Sequence, residues 1–375
     1  MELISNRVAY HDGRHNMVPR FINWHGVRWM VFRTAGGHRS CDGRIVMIRS
    51  TDMEDWSGPR TVIDTPLDDR DPSIFSCGDR LFATSLSVER EFLDDTRPFE
   101  GLKFQGSCRC FASHTEDGEN WSKPEQVMPE NYAIWWTVRV GDRVYAAVQR
   151  RVPDTIDLDG LVKTLPEGMV GLDRPLQFVN RIDRQAELWS SQDGLRWRQV
   201  SVICDRDQAS ETALAVLPDS RMVGFVRHDD HDADPLTRNR PEIVISHPPY
   251  RDWRRLYRFG FQTNGPCIGQ VGEKLVTCSR AFFEDDRTPL NSGLCRERRR
   301  GLIMGTFDVP RSVWAPEITI PHREGPRSDR GLDPSLGFPD VSYAWMGNTE
   351  NGDFHLAYYE GFKGAPSDIR MARIR

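Results

Sequence analysis

Residues 73–85 read SIFSCGDRLFATS: an apolar run, a Cys-Gly-Asp-Arg turn, and a second apolar run. Glycine and aspartate tolerate the positive φ that tight hairpin turns need, and Ile, Phe and Leu on either side suit paired strands. One hairpin is unremarkable, but this one has relatives along the whole chain. FINWHGVRWMVFR (21–33), TVRVGDRVYAAVQ (137–149), LAVLPDSRMVGFVR (214–227), IGQVGEKLVTCSR (268–280) and TENGDFHLAYYE (349–360) follow the same plan, with turns at Gly26, Gly141, Asp219, Gly272 and Gly352. A further apolar strand follows each of the first five, such as GRIVMIRS (43–50) or PEIVIS (241–246).

Spread over 375 residues, six such units take about 60 residues each. Four-stranded units repeated around an axis make a β-propeller, so the expected fold is all-β: a six-bladed propeller of four-stranded antiparallel blades. The segment NRVAYHD (6–12) is expected to complete the last blade and close the ring, with DIRMARIR at the C-terminus. No linker or low-complexity stretch interrupts the pattern, so residues 1–375 are read as a single domain. A β-sandwich with extra strands fits the regular alternation less well.

Composition bounds the function. The chain is 38% hydrophobic and 28% charged with a formal net charge of −5, which suits a globular protein and disfavours a general nucleic-acid binder. No apolar run approaches the roughly 20 residues that span a bilayer. The N-terminus lacks the basic-then-apolar layout of a secretion signal, which favours the cytoplasm; a periplasmic or secreted placement would require a leader already removed. Eight cysteines are scattered, and Cys108-x-Cys110 is too tight for the usual zinc pair. They are read as buried or free thiols, and no metal or other cofactor is expected.

Propeller topology also locates a site. Residues just before each first strand and just after each second strand gather at one mouth of the central channel. The second strands end at Arg33, Ser85, Gln149-Arg150, Arg227, Arg280 and Tyr359-Glu360. Four matching arginines, Arg33, Arg150, Arg227 and Arg280, imply a pocket for an acidic or strongly polar ligand, because packed cations need anions among them. The first strands bring Asp71, Glu211 and Asp340, with Trp135 and Trp136 as a wall on which a sugar ring can stack. Taken singly, each has a structural alternative: Asp71 before Pro72 shaping a turn, Glu211 pairing only with Arg227, and the tryptophans packing in the core.

A second repeat interleaves with the hairpins. Ser50-x-Asp52 precedes Trp56 and Ser191-x-Asp193 precedes Trp197, while a copy from Ser113 to Trp121 looks longer, with Thr115 at the aspartate place. This S-x-D-x-x-x-W turn resembles the Asp-box of the sialidase family, whose catalytic domain is a six-bladed propeller. There the box fastens blades and takes no part in catalysis. SETALAVLPDSRMVGFVR (210–227) is similar to the sialidase stretch in which a glutamate polarises a tyrosine nucleophile and an arginine grips the sugar carboxylate, which implies those roles for Glu211 and Arg227, with Arg280 as another member of the arginine triad. An uncharacterised sialidase-like branch is closer still, in FRTAGGHRSCDG (32–43), DDRDPS (68–73) and LDPSLGFPD (332–340).

Two positions depart from the family. Met17 stands near the place of the first triad arginine, with Arg20 displaced from it, and Phe338 stands at the place of the nucleophilic tyrosine. Tyr343, five residues on, is expected to point elsewhere along its strand. The resemblance therefore implies a glycoside hydrolase for a terminal acidic sugar such as sialic acid. Its expected mechanism is inverting, with His38 transferring the proton, Glu211, Asp71 or Asp340 activating water, and Phe338 contributing only contact. A polysaccharide lyase acting on uronates and a non-catalytic sugar-binding propeller are the competing readings.

Overall fold

The computed structural model describes residues 1–38, 40–90, 105–153, 182–229, 239–283, 299–322, 327–328, 331–332, 339–348, 353–362 and 365–375. Every regular element among them is a strand. Blade one comprises His15–Trp24, Val27–Ala35, Arg44–Ser50 and Arg60–Ile63; blade two, Asp68–Cys77, Arg80–Arg90, Gln105–Thr115 and Glu125–Gln126. Blade three is Tyr132–Val140, Arg143–Pro153, Ile182–Ser191 and Arg198–Cys204; blade four, Ala209–Val216, Met222–His228, Glu242–Ser246 and Arg254–Arg258. Blade five is Thr263–Val271, Lys274–Phe283, Arg299–Asp308 and Val313–Pro321. Blade six takes Pro339–Asn348, Phe354–Phe362 and Ser367–Ile374 from the C-terminal end, and Leu3–Tyr10 completes it from the N-terminal end. A parallel contact, His15 to Ser367, joins blades one and six into one sheet.

The first strands neighbour one another in the order one to six and back to one, so the ring is closed. Each inner strand packs between two sheets, which explains its burial on both faces: seven successive residues from His15 to Phe21 are buried. The outer strands have one face in water, and Arg254–Arg258 and Val313–Pro321 are correspondingly exposed or half-buried along most of their length. Closing blade six with the N-terminal strand leaves the ring tied at both ends of the chain.

The hairpin turns fall where the sequence places them: Gly26, Gly78, Gly141 and Gly272 all have positive φ. Gly352 lies outside the described residues. At the far ends of the third strands, the Ser/Asp/Trp turns are built from side chain to backbone. Ser191 Oγ accepts from the amides of Asp193 (3.3 Å) and Gly194 (2.9 Å), and Asp193 Oδ1 accepts from those of Leu195 (3.0 Å) and Arg196 (2.7 Å). Ser50 and Asp52 repeat this pattern.

The turn of blade two corrects the sequence register. Thr115 occupies the serine place and Asp117 the aspartate place, so the spacing to Trp121 equals that of the other copies. The turns of blades two and three press on the blade before them. A Cβ on Gly118 would come within 2.3 Å of Trp29 of blade one, and one on Gly194 within 2.6 Å of Phe82 of blade two. Trp197 meets Phe75 edge-on at 5.7 Å.

One irregularity recurs in every blade and decides the site. Pairing between first and second strands slips at Met17/Arg20, Arg70/Ser73, Ile134/Trp136, Ala209/Thr212, Asn264/Cys267 and Ser342/Trp345. A bulge leaves residues unpaired and re-aims their side chains. Three of the six contain proline (Pro19, Pro72, Pro266), which has no N–H for the ladder and is confined to such places within a sheet.

Candidate active site

The bulges aim side chains into a cavity of about 290 Å³ at the mouth of the channel. Its lining includes Met17, Asp71, Trp135, Glu211 and Tyr343, one from the bulge region of every blade except the fifth. Asp71 and Tyr343 adopt left-handed backbone, with φ of 42° and 53°. In blade five the bulge residue is Gly265, at φ +62°, where a Cβ would come within 2.4 Å of Ser342 Oγ and 3.1 Å of the Tyr343 backbone nitrogen. Blade five thus yields its place to the Tyr343 bulge.

Simple strand alternation is what misplaced Tyr343. The bulge turns it inward, and its hydroxyl donates to Glu211 Oε1 at 2.9 Å. Arg227 Nη1 lies 2.6 Å from the same carboxylate oxygen and 3.3 Å from the Tyr343 hydroxyl. Asp229 takes the other side of the Arg227 guanidinium, at 2.9 Å from Nε and 2.7 Å from Nη2, and Arg184 sits 3.0 Å from Asp229. Beneath the bulge, Arg20 is buried and donates to the carbonyls of Tyr343 (3.4 Å) and Ala344 (3.3 Å). Its guanidinium lies 5.0 Å from the rings of both Trp136 and Trp345.

Electrostatics follow from burial and pairing. Burial raises the Glu211 pKa against the pull of Arg227, and its second oxygen is buried without a hydrogen-bond partner. Burial, then the Glu211 charge, pushes the Tyr343 phenol up, so it holds its proton at neutral pH and presents it to Glu211. Burial alone would lower the Arg227 pKa, but Asp229 and Glu211 outweigh it and hold the guanidinium charged.

Facing the cavity from blade one's loop, His38 sets Nδ1 2.6 Å from Asp340 Oδ2. Asp340 is fully buried, yet His38, His15 and Arg280 overcome the desolvation and hold it well below the usual carboxylate range. Burial takes His38 down to about 3 despite Asp340. The imidazole is therefore neutral near pH 7, with Nδ1–H donated to Asp340 and a lone pair on Nε2. The neutral ring has a lone pair free at Nε2 and no second proton to give there, where the sequence suggested a proton donor. His15, His38 and Asp340 bring three potential ligand atoms within 4.8 Å of one another. Arg280 already lies 3.6 Å from Asp340, and Tyr359 donates to it at 2.9 Å, so its charge is met without a cation.

Several sequence-based placements change. Arg33 does not reach the cavity: it is fully buried, paired with Asp68 at 2.8 Å, and donates to the carbonyls of Gly37 and Ser40. Arg150 points away from the lining and reaches Gln185 at 3.3 Å; its neighbours Gln149 and Arg151, on the opposite face of the strand, line the cavity instead. Trp135 lines it, with its ring 5.4 Å from that of Tyr343, whereas Trp136 packs on Trp345 at 4.0 Å in the core. Asp340 and Arg280 stand behind His38, outside the lining. Phe338 lies outside the described residues.

Arg70, Arg151, Arg184 and Asp229 also line the cavity and were not singled out in the sequence. Arg70 and Arg151 each adjoin a residue that was, Asp71 and Arg150, which was the available signal.

No family profile matches this chain, and no curated protein matches it. Solved structures do. A protein of unknown function from Dyadobacter fermentans superposes with a TM-score of 0.67 at 15% identity, covering 100% of this chain and 99% of that one. Trypanosoma rangeli sialidase gives 0.58 at 12% identity over 97% of this chain and 55% of its own. Leech intramolecular trans-sialidase gives 0.58 at 10% over 98% and 70%. This chain thus spans about half of the trypanosomal enzyme. The likeness defines the class: a β-propeller with the sialidase-like fold. At these identities it speaks for the fold alone.

Proposed function

We propose that this protein is a retaining glycoside hydrolase for a terminal acidic sugar, sialic acid or a relative, with Tyr343 as nucleophile. The observation that carries the proposal is the Tyr343 hydroxyl donating to Glu211 at 2.9 Å in a cavity that also holds Arg227 and Trp135. A phenol is a neutral nucleophile. It can approach an anomeric carbon that bears a carboxylate without the repulsion an Asp or Glu nucleophile would meet. Among the described residues, the lining sets four guanidiniums (Arg70, Arg151, Arg184, Arg227) beside three carboxyl groups (Asp71, Glu211, Asp229), a balance that suits an anionic ligand.

In the first step Tyr343 Oη bonds to the anomeric carbon as the glycosidic C–O bond breaks. Glu211 takes the phenolic proton, and a carboxylic acid gives its proton to the leaving oxygen. Asp71 is the lining carboxyl assigned that task, because its ion-pair contact is a loose one, 3.9 Å from Arg70. Water then adds to the anomeric carbon, losing its proton to Asp71, while the phenolate leaves and recovers its proton from Glu211.

His38, oriented by Asp340, supports a second reading on the same cavity, a uronate lyase. There His38 removes the proton beside the substrate carboxylate, the bond to the leaving oxygen breaks, and Tyr343 protonates that oxygen. Two assays separate the readings, labelling with a fluorinated sialic acid and turnover of acidic glycosides, uronates included. A fluorinated sialic acid should leave an adduct that mass spectrometry maps to Tyr343, absent in Tyr343→Phe. Turnover with inversion and no adduct would overturn the retaining mechanism, and an unsaturated product absorbing in the ultraviolet would install the lyase.

A further inference from the structure

Behind the cavity wall, where blades three and four meet, three buried side chains converge that no part of the proposed chemistry uses. Cys204 ends the outer strand of blade three, His228 ends the second strand of blade four, and Glu242 opens the third. All three are buried, and their donor atoms lie within 4.8 Å of one another. We propose that Cys204, His228 and Glu242 bind a borderline-soft divalent cation, zinc(II) in the first instance.

The strongest sign is His228. Its side chain is fully buried, and its Nδ1 lies 3.2 Å from the Arg206 carbonyl, which can only accept. In the neutral ring Nδ1 therefore carries the proton, which leaves a lone pair on Nε2. That nitrogen is buried and has no hydrogen-bond partner; it faces Glu242 Oε1 at 3.7 Å, and a carboxylate offers it no proton. A histidine whose far nitrogen donates to a backbone carbonyl while the near one presents a lone pair is the arrangement of a metal ligand with its outer support in place.

Spacing agrees. Zinc bonds of about 2.3 Å to sulfur and about 2.0–2.2 Å to nitrogen and oxygen, at a tetrahedral angle, put S and O about 3.6 Å apart and N and O about 3.4 Å apart. Here Cys204 Sγ is 3.3 Å from Glu242 Oε1, and His228 Nε2 is 3.7 Å from it. Both spacings lie within about 0.3 Å of the zinc values, and the third pair, Cys204 Sγ and His228 Nε2, lies within 4.8 Å.

The donors also suit the ion chemically. Thiolate, imidazole and carboxylate together select zinc or cobalt over magnesium or calcium. A divalent cation with one thiolate and one carboxylate is neutral, and binding releases the thiol proton. Arg255, 3.4 Å from Glu242 Oε2, orients the carboxylate from its other oxygen. Arg206, now 2.8 Å from Oε1, has a half-exposed side chain that can move to solvent when a cation takes that oxygen. His228 lies between Arg227 and Asp229 in the chain, so an ion here would brace the strand end that carries both into the cavity.

The test is metal content and spectroscopy on the full chain, read without any substrate. Protein stripped with chelator and reconstituted with zinc should hold about one ion per chain by elemental analysis and unfold at a higher temperature than the stripped form. Cobalt(II) should give tetrahedral d–d bands and a thiolate-to-cobalt charge-transfer band. Cys204→Ser should remove the charge-transfer band, and His228→Gln should lower zinc affinity by at least tenfold. Wild-type protein that takes up no zinc or cobalt overturns the proposal whatever the variants do. So does an ion that remains in Cys204→Ser/His228→Gln but is lost in His15→Gln, which would place it at the His15, His38 and Asp340 group. A failure to label Tyr343 leaves this result untouched.

Discussion

Gly265→Ala tests the claim that blade five yields its place to Tyr343. The added methyl would sit 2.4 Å from Ser342 Oγ and 3.1 Å from both Tyr343 Cδ1 and its backbone nitrogen. Two costs arise. Holding a non-glycine residue at φ +62° costs about 1–2 kcal/mol. Forcing a methyl into filled space adds about 1–3 kcal/mol, because Ser342 is fully buried and its strand is pinned by Arg20. The sum is about 2–5 kcal/mol, read as a lower urea midpoint at unchanged slope. Adding Ser342→Gly removes the closest clash but not the backbone strain, so the double variant should regain only part of the loss. Gly58→Ala, with nothing within 4 Å of the new methyl, is the control and should stay within about 0.5 kcal/mol of wild type. The shift should also carry Tyr343 away from Glu211 and slow labelling of Tyr343. A Gly265→Ala protein as stable as the control, and labelled as fast as wild type, would refute the packing account of the bulge.

Three further outcomes follow from particular contacts. Trp197→Ala should cost about 3–5 kcal/mol, since the ring is buried against Phe75, while leaving the cavity's chemistry intact; altered specificity at full stability would contradict its fastening role. Arg33→Ala should cost about 1–3 kcal/mol by removing one of the two guanidiniums that face the buried Asp68 (Arg70, at 3.3 Å, remains) and the donor to the Gly37 and Ser40 carbonyls, and a stable variant that merely loses ligand affinity would restore Arg33 to the binding site. His38 has its folded pKa lowered to about 3 from the ordinary 6.5, so between those values the unfolded chain binds the extra proton and stability falls as pH drops. Asp340, held low, loses its contribution only as pH falls through its depressed folded pKa, in the same acid direction. His38→Gln should therefore flatten the decline between about pH 6.5 and pH 4 in urea titrations; an unchanged slope would mean that the imidazole is already charged in the fold.

The propeller was legible because its signals are local and repeated. A hairpin is announced by a glycine at positive φ between apolar runs, and six imperfect copies reinforce one another. Site residues were less legible because they lie at the bulges, where the two-residue period of a strand breaks. Counting along Pro339–Asn348 by alternation sends Tyr343 the wrong way; the slip between Ser342 and Trp345 sends it into the cavity. Blade three shows the same effect with adjacent tryptophans: Trp135, skipped by the pairing, faces the cavity, and Trp136, paired with Ala147, enters the core.

A clue was present in VPRF (18–21), DPSI (71–74) and GPCI (265–268). A proline inside a buried inner strand cannot join the ladder, and it marked the bulge in three blades of six. Nothing comparable marks blades three, four and six, which supply Trp135, Glu211 and Tyr343. Their bulges are recoverable only from the requirement that equivalent strands in a closed ring bend at equivalent depth. That requirement is testable on Arg20, which sits one residue past the bulge of blade one and holds the carbonyls of the bulge in blade six. If bulge geometry is transmitted around the axis by such contacts, Arg20→Met, which fills similar apolar volume but cannot donate, should preserve the ring and loosen Tyr343. The expected reading is an intact far-ultraviolet spectrum with slower labelling of Tyr343; full-rate labelling in a folded Arg20→Met protein would show that each bulge is fixed within its own blade.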